Sequence, residues 1–187
     1  MKQKLTTKKI VLTGLLAALT CVGSAIRITI PLDIAGTTSF HLGNILCALS
    51  GILLGPWLGG LAAGIGSAFY DVFNPLYISE CWLTFLLKFA YGLAAGFVIR
   101  LGRKTPWGYG KALLATIAGA AAYAALYLAK SYFYSGLLIH GLTPGAAAAT
   151  VVMKLPATAF NAAVAIVIAP VLALAIKKAL GKQALEL

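Results

Sequence analysis

Charged and amide side chains stand among apolar residues along much of this sequence, and the densest set lies between Phe40 and Lys88. Polar groups inside a membrane are costly, so those that occur there are usually functional. We therefore treat these side chains as candidates for binding a small molecule. The candidates are Arg27, His41, Asn44, Asp71, Tyr77, Glu80, Trp82, Lys88, Tyr91, Lys130, Lys154 and Asn161.

The types of these side chains indicate the chemistry of the ligand. Lysines outnumber acids among them, which favours a ligand with a carboxylate, a phosphate or an electron-rich ring. The aromatic side chains favour a flat heterocycle, because ligand sites combine apolar walls with a few placed polar groups. An interfacial aromatic belt is the alternative explanation for many of the aromatic residues.

Other roles compete for the same residues. Long cationic side chains can reach the membrane surface from an apolar stem, and this explains Arg27 and Lys130 as well as ligand binding does. Lys88 and Lys154 lie further from the ends of their apolar segments, so a site role is favoured for them. The side chain of Asp71 is too short to extend far toward the membrane surface, which also favours a paired or ligand-facing role.

Common catalytic and metal-binding signatures are missing from the sequence. It contains no Gly-x-x-x-x-Gly-Lys-Ser/Thr loop, no His-Glu-x-x-His and no Gly-x-Ser-x-Gly. Cysteine and histidine do not occur at metal-binding spacing either. We therefore expect neither an enzyme nor a self-powered transporter, and we expect no catalytic residue, metal or cofactor.

The composition is that of a membrane protein. Of the 187 residues, 61% are hydrophobic and 10% are charged, whereas a soluble domain carries roughly 25% charged residues. We expect one transmembrane domain over residues 1–187. The first apolar run imitates a signal peptide, but we expect it to remain as a transmembrane helix.

The net charge of +11 follows the topology of a membrane protein. Basic residues cluster at helix ends that would face the cytoplasm, as the positive-inside rule requires. This placement predicts cytoplasmic N- and C-termini and argues against a nucleic-acid partner. The clusters are Lys2, Lys4, Lys8 and Lys9 at the start, Arg100, Arg103, Lys104 and Lys111 around one short loop, and Lys177, Lys178 and Lys182 near the end.

The apolar segments predict an all-α protein with six transmembrane helices. Gly55 and Pro56 mark a tight turn between the second and third helices, and Pro156 should bend the sixth. Loops are expected over 29–39, 74–81 and 135–144, on the outer side. The six helices are expected over 10–28, 40–54, 58–73, 82–101, 111–134 and 145–175.

These six elements must position the candidate residues. Odd-numbered helices run outward and even-numbered helices run inward, so the candidates converge near the outer ends. The sequence therefore predicts a single cavity that is open to the outside. Asn161 lies deeper, and a hydrogen bond that joins two helices is the favoured role for it.

One segment and its flanks resemble a known family. The pattern is similar to the substrate-binding S component of energy-coupling factor (ECF) vitamin transporters, in the riboflavin-like branch. The size and the six-helix pattern match over nearly the whole chain. The residues that carry the resemblance are Leu53-Leu54-Gly55-Pro56-Trp57-Leu58-Gly59-Gly60, then Gly64-Ile65-Gly66-Ser67 and Tyr70-Asp71, with Thr7-Lys8-Lys9 near the start.

The resemblance implies an importer subunit of a bacterial plasma membrane that binds a vitamin or vitamin precursor from outside. It implies docking, within the lipid bilayer, on a membrane scaffold subunit that carries two ATPases. Family members dock through an Ala-x-x-x-Ala ridge on the first helix. The matching pairs are Gly14 with Ala18, or Ala17 with Cys21, and small residues of either pair permit close helix approach.

Two other functions remain open at this point. A membrane partner without a ligand would leave the embedded lysines unexplained. A membrane enzyme that modifies lipids would need an acidic or metal-binding cluster, and the sequence has only four acids. The identity of the vitamin, whether the energising module is shared, and the docking face of the first helix are not decided by the sequence.

Overall fold

A computed structural model describes residues 6–32, 36–102 and 107–180. Several of the basic residues named above, and two of the four acids, lie outside these ranges. The basic residues are Lys2, Lys4, Arg103, Lys104 and Lys182, and the acids are Asp33 and Glu186.

The described residues form six helices and one β-hairpin. A short 3-10 turn, Ile78–Glu80, precedes α4, and a π-helical segment, Lys130–Ile139, continues α5. We call this segment the α5 extension. The elements in chain order are α1 (Thr7–Ala25), β1 (Arg27–Pro31), β2 (Thr37–His41), α2 (Gly43–Leu54), α3 (Pro56–Val72), α4 (Cys81–Arg100), α5 (Tyr109–Ala129) and α6 (Pro144–Leu180).

The β-hairpin corrects the expectation of an all-α protein with a loop over 29–39. Helix α1 ends at Ala25, and β1 pairs antiparallel with β2, so that Arg27 faces His41 and Ile30 faces Thr38. Both strands are rich in β-branched residues, which favour extended backbone. Helix α2 consequently begins at Gly43, not at residue 40, and His41 lies on a strand.

The helix that follows the basic loop is longer than expected. The α5 extension carries helical structure through Ile139, so the loop expected over 135–144 is wrong for its first half. Ser135 and Gly136, at the start of that expected loop, are both buried, and a Cβ on Gly136 would lie 2.9 Å from Ala147 Cβ. Small residues are used here for close packing against α6, not for a turn.

Four helical stretches are long and apolar enough to cross a membrane, among the residues that the structure describes. They are Thr7–Ala25, Ile78–Arg100, Tyr109–Ile139 and Pro144–Ala179. Helix α2 has 12 residues, which is about 18 Å of helix against a hydrocarbon core of about 30 Å. The six crossings expected from the sequence therefore remain a prediction.

Glycines hold α2, α3 and α4 in backbone contact at the ends remote from the hairpin. A Cβ on Gly51 would lie 2.5 Å from the carbonyl oxygen of Gly92, and one on Gly59 would lie 2.5 Å from that of Ser50. A Cβ on Gly96 would lie 2.3 Å from Pro56 N. This contact anchors the three helices that carry much of the polar set.

The turn between α2 and α3 depends on Gly55. Its φ of 82° is positive, a backbone region that L-residues with a side chain rarely adopt. Arg100 closes the turn by donating from Nη2 to the Leu54 carbonyl oxygen at 2.9 Å. Pro56 then starts α3 at the first helical position, where its missing N–H costs nothing.

Candidate ligand-binding site

A cavity of about 350 Å³ lies at the hairpin end of the helices. Its walls come from the hairpin, from the 3-10 turn, from the α5 extension, from the end of α1 and from α3, α4, α5 and α6. Pockets for small molecules are typically about 300–1,000 Å³ and combine apolar walls with a few polar groups. This cavity is therefore of a size that suits a compact ligand.

Most of the candidate residues line this cavity. They are Arg27, His41, Asp71, Tyr77, Glu80, Lys88, Lys130, Lys154 and Asn161. The structure thus brings together side chains that are separated by more than a hundred positions in the chain.

Three candidates do not line it. Asn44 is buried behind the wall, where its Oδ1 accepts a hydrogen bond from Lys88 Nζ. Tyr91 is fully buried beside Tyr123, with ring centroids 5.9 Å apart. Trp82 is 52% exposed and packs against Tyr134 on the outside. For these three, the sequence indicated a position along the helix but not the face of the helix.

Arg27, the first residue of β1, is held on several sides. Its Nε donates to the Ser24 carbonyl oxygen at 2.8 Å, and its guanidinium lies 4.2 Å from the ring centre of Tyr70 and 4.7 Å from that of Tyr77. Nη2 lies 3.9 Å from Asp71 Oδ1. The guanidinium is therefore a fixed part of the wall, because stacking and charge pairing restrict its rotation.

Tyr77 ties the loop after α3 to the β-hairpin. Its hydroxyl lies 2.9 Å from Ser39 Oγ and 3.1 Å from Thr37 Oγ1. Burial alone would raise the pKa of Tyr77, but the hydrogen bonds with Ser39 and Thr37 outweigh it and lower the pKa below its ordinary value. The phenol oxygen is therefore an integrated part of a polar network at the hairpin.

Asn161 of α6 fastens the other side of β2. Its Oδ1 accepts from the backbone N–H of His41 at 3.0 Å, and its Nδ2 donates to the Ser39 carbonyl oxygen at 2.8 Å. The predicted hydrogen bond from Asn161 to another helix is thus replaced by two bonds to a strand. These bonds satisfy edge groups of the hairpin that would otherwise be unpaired.

Lys88 lies on α4 and is 4% exposed. Its ammonium donates to Asn44 Oδ1 and lies 4.0 Å from the ring centre of Tyr123. Both partners are neutral, so they orient the ammonium without compensating its charge.

Two further lysines reach the cavity from the α5 extension and α6. Lys130 pairs with Glu80, whose other carboxylate oxygen lies 3.4 Å from Ser135 Oγ. Lys154 is 5% exposed, and its Nζ lies 3.4 Å from Ser131 Oγ and 5.8 Å from the ring centre of Tyr127. Lys130 therefore has a carboxylate partner within the wall, whereas the contacts of Lys154 are long and neutral.

A pair of stacked tyrosines in the cavity wall was not among the site residues predicted from the sequence. Tyr123 and Tyr127 of α5 line the cavity with their ring centroids 5.6 Å apart and an interplanar angle of 17°. Their spacing of four residues on an alanine-rich helix was the available signal, since such residues share a helix face. Hydroxyl side chains of the wall were missed as well: Ser24, Thr37, Thr38, Ser39, Ser67, Ser79, Thr84, Ser135 and Thr158.

His41 ends β2 with its ring against the cavity. Its Nδ1 is enclosed and has no hydrogen-bond partner among the residues that the structure describes. Burial, together with the positive charges of Lys88 and Arg27, lowers the pKa of His41 well below its ordinary value. The neutral imidazole is therefore the favoured form at neutral pH.

These side chains offer non-covalent recognition. The described wall presents hydroxyl groups, ammonium groups and flat aromatic rings around one space. In the same described ranges, no group of three His, Cys, Asp or Glu side chains is placed to hold a metal ion.

On α1, the structure separates the two candidate docking pairs. Gly14 and Ala18 are exposed, and the space around Gly14 is open to at least 4 Å. Ala17 is buried against α3, where its carbonyl oxygen would lie 2.1 Å from a Cβ on Gly66. Ala17 is therefore part of the internal packing and is not available as a docking residue.

The fold is that of an apolar helical protein, with four described stretches long enough to cross a membrane and a cavity at one end that polar side chains line. The model of the family "ECF-type riboflavin transporter, S component" matches residues 4–178. The chain belongs to this family, as its sequence resemblance indicated. Members are substrate-binding subunits of a transporter and not enzymes, and they work with an ECF module.

Two further proteins are similar to this chain. The chain is 32% identical over 119 residues to an uncharacterized protein of Pyrococcus woesei, a match that covers 64% of this chain and 74% of that protein. It is similar in fold to the crystal structure of the S-component for biotin from an ECF-type ABC transporter. That match has a TM-score of 0.62 at 14% identity and covers 90% of this chain and 94% of the other.

Proposed function

We propose that this protein captures a flat, vitamin-like heterocycle in the cavity at the hairpin end and delivers it inward. The observation that carries the proposal is the cavity itself, about 350 Å³ in volume and lined by ammonium groups, hydroxyl groups and the stacked Tyr123–Tyr127 pair. A flat ring gains contact area and favourable stacking against such aromatic side chains.

The orientation in the membrane follows from charge. The described basic residues outside the cavity lie mostly at the end remote from the hairpin, at the start of α1 and α5 and at the end of α4 and α6. The positive-inside rule places that end in the cytoplasm. The cavity then faces outward, both termini are cytoplasmic, and all six helices lie within the cell membrane.

Energy for delivery comes from partner subunits. The sequence has no nucleotide-binding loop of the P-loop type. We infer docking on a membrane scaffold subunit with two ATPases, through the exposed Gly14–Ala18 face of α1. Small residues allow a partner helix to approach that face closely.

Ligand binding by the isolated subunit tests the proposal. The protein is purified in detergent, bound molecules are released by denaturation and identified by mass spectrometry, and the identified compound is titrated back by calorimetry. We expect a bound heterocycle. Tyr123→Leu should weaken its binding about tenfold, since stacking is lost.

The matched control is Tyr109→Leu at the exposed start of the same helix. It should bind the ligand like the wild-type protein. A chain that releases no small molecule, or an equal loss in both variants, would count against a binding role for the cavity.

A further inference from the structure

We propose that the substrate is an anion, whose carboxylate or phosphate binds the ammonium of Lys154. This inference deepens the proposed function and depends on it, because it assigns the chemistry of the solute held in the same cavity.

Among the described residues, four cations line the cavity, and carboxylates of the wall compensate two of them. Arg27 lies beside Asp71, with Nη2 and Oδ1 3.9 Å apart, and Lys130 pairs with Glu80. A charge that leaves water is tolerated when an opposite charge and hydrogen bonds replace its hydration. Arg27 and Lys130 therefore need no ligand to balance their charges.

Lys88 and Lys154 remain without a carboxylate partner within residues 6–32, 36–102 and 107–180. Both are nearly enclosed, at 4% and 5% exposure. The described part of the cavity thus contributes four positive side chains and two negative ones, a difference of two positive charges. A negatively charged solute would balance this excess.

The neutral contacts of the two lysines distinguish their roles. Lys88 has a side-chain amide and the face of a tyrosine 4.0 Å away, so its direction is fixed by the protein. Lys154 has a 3.4 Å contact to Ser131 Oγ, and Tyr127 lies at 5.8 Å, near the limit for a cation–π interaction. An ammonium carries three N–H donors. Because the contacts of Lys154 are longer than those of Lys88, its donors are more available to a ligand.

The position of Lys154 also limits where the acidic group sits. The ring centre of Tyr127 lies 5.8 Å from this ammonium, and Tyr127 lines the same cavity. A heterocycle that lies against Tyr127 would place an acidic group within reach of Lys154 if that group is on the ring or on a short side chain. Charge-assisted hydrogen bonds of this kind are stronger than neutral ones.

Matched pairs of probes test the inference on the purified full-length protein. Each pair shares one ring system and differs in an acidic group: riboflavin and its 5′-phosphate, pyridoxine and its 5′-phosphate, nicotinamide and nicotinate, uracil and orotate. We expect the anionic member of at least one pair to bind at least about tenfold more tightly than its neutral partner.

Variants assign the effect to one side chain. Lys154→Met should remove the preference for the anion, and Lys154→Arg should retain most of it. The control is Lys178→Met, an exposed lysine at the far end of the same helix, and it should leave the preference unchanged. The comparison within each pair in the wild-type protein remains decisive if Lys154→Met fails to fold.

The outcomes separate this inference from the proposed function. Equal or tighter binding of the neutral member in every pair that binds would overturn the anionic assignment and leave the binding role in place. A preference for the anion that survives in a folded Lys154→Met variant would overturn the role of Lys154. Failure of every probe, together with the absence of a co-purified solute, would overturn both.

Discussion

Asn161 connects α6 to the β-hairpin through both ends of its side-chain amide. It accepts from His41 N–H at 3.0 Å and donates to the Ser39 carbonyl oxygen at 2.8 Å. Because the same strand contributes Thr37 and Ser39 to the network around Tyr77, this amide helps to fix one wall of the cavity.

Replacing Asn161 by leucine should loosen β2 without unfolding the helices. Two backbone groups lose their partners, at a cost of about 1–3 kcal/mol for each group that stays buried. We expect faster hydrogen exchange at residues 37–41 and weaker ligand binding. Val167→Ala, on an exposed position of the same helix, is the control, and unchanged exchange in Asn161→Leu would contradict the role of the amide.

The sequence allowed much of the site to be predicted at this scale, but not all of it. Lys88 and Lys154 stood out because charges in an apolar context are rare. Tyr123 and Tyr127 did not, because tyrosines on an apolar helix are equally typical of the membrane interface. Trp82 was also compatible with either role, the membrane interface or the site. It was predicted to belong to the site, but it packs against Tyr134 outside the cavity.

At the scale of the elements, the β-hairpin was not predicted from the sequence, whereas the predicted bounds of the helices lie closer to those of the structure. Helix α4 begins at Cys81 and ends at Arg100, within one residue of its expected bounds. The hairpin was missed because Pro31 and Gly36 suggested an irregular loop, although the alternation in Arg27-Ile28-Thr29-Ile30 was a strand signal. The partners of these four residues lie 8 to 14 positions later, in residues 38–41, and the pattern of one strand does not reveal which residues pair with it.

Glycine contacts between elements lead to a stability prediction. A Cβ on Gly92 would lie 2.6 Å from the Gly59 carbonyl oxygen and 2.9 Å from Gly60 Cα. Gly92→Ala should therefore destabilise the protein by about 1–3 kcal/mol, because two helix backbones must separate. Thermal unfolding in detergent measures the loss.

The control for this prediction is Gly110→Ala at the start of α5. Nothing lies within 4 Å of a Cβ at that position, and alanine is the better helix former by about 1 kcal/mol. The control should unfold at the same temperature as the wild-type protein or higher. Equal stability of Gly92→Ala and the wild-type protein would mean that α3 and α4 are packed less tightly than described.

At the scale of the whole molecule, α1 combines an inner and an outer face. Its buried side packs on α2 and α3, while Gly14 and Ala18 lie on the exposed side. An uptake assay in cells that supply the partner subunits tests that exposed side. Gly14→Leu with Ala18→Leu should abolish uptake and leave the affinity of the purified subunit within about twofold, because bulky side chains block close helix approach.

Lost affinity with normal assembly of the complex would contradict this assignment of the docking face. A useful comparison is Val152→Leu, an exposed position on α6, which should transport normally. Co-purification of the partner subunits shows directly whether the double variant fails at assembly.

The glycine contacts beyond the cavity have a consequence for how a solute crosses the membrane. Where Gly51, Gly59 and Gly92 meet, main-chain atoms of three helices fill the space that a side chain would need. No conduit can pass between α2, α3 and α4 at that depth in the structure described. A solute held at the hairpin end therefore has no passage between these three helices in the arrangement that the structure describes.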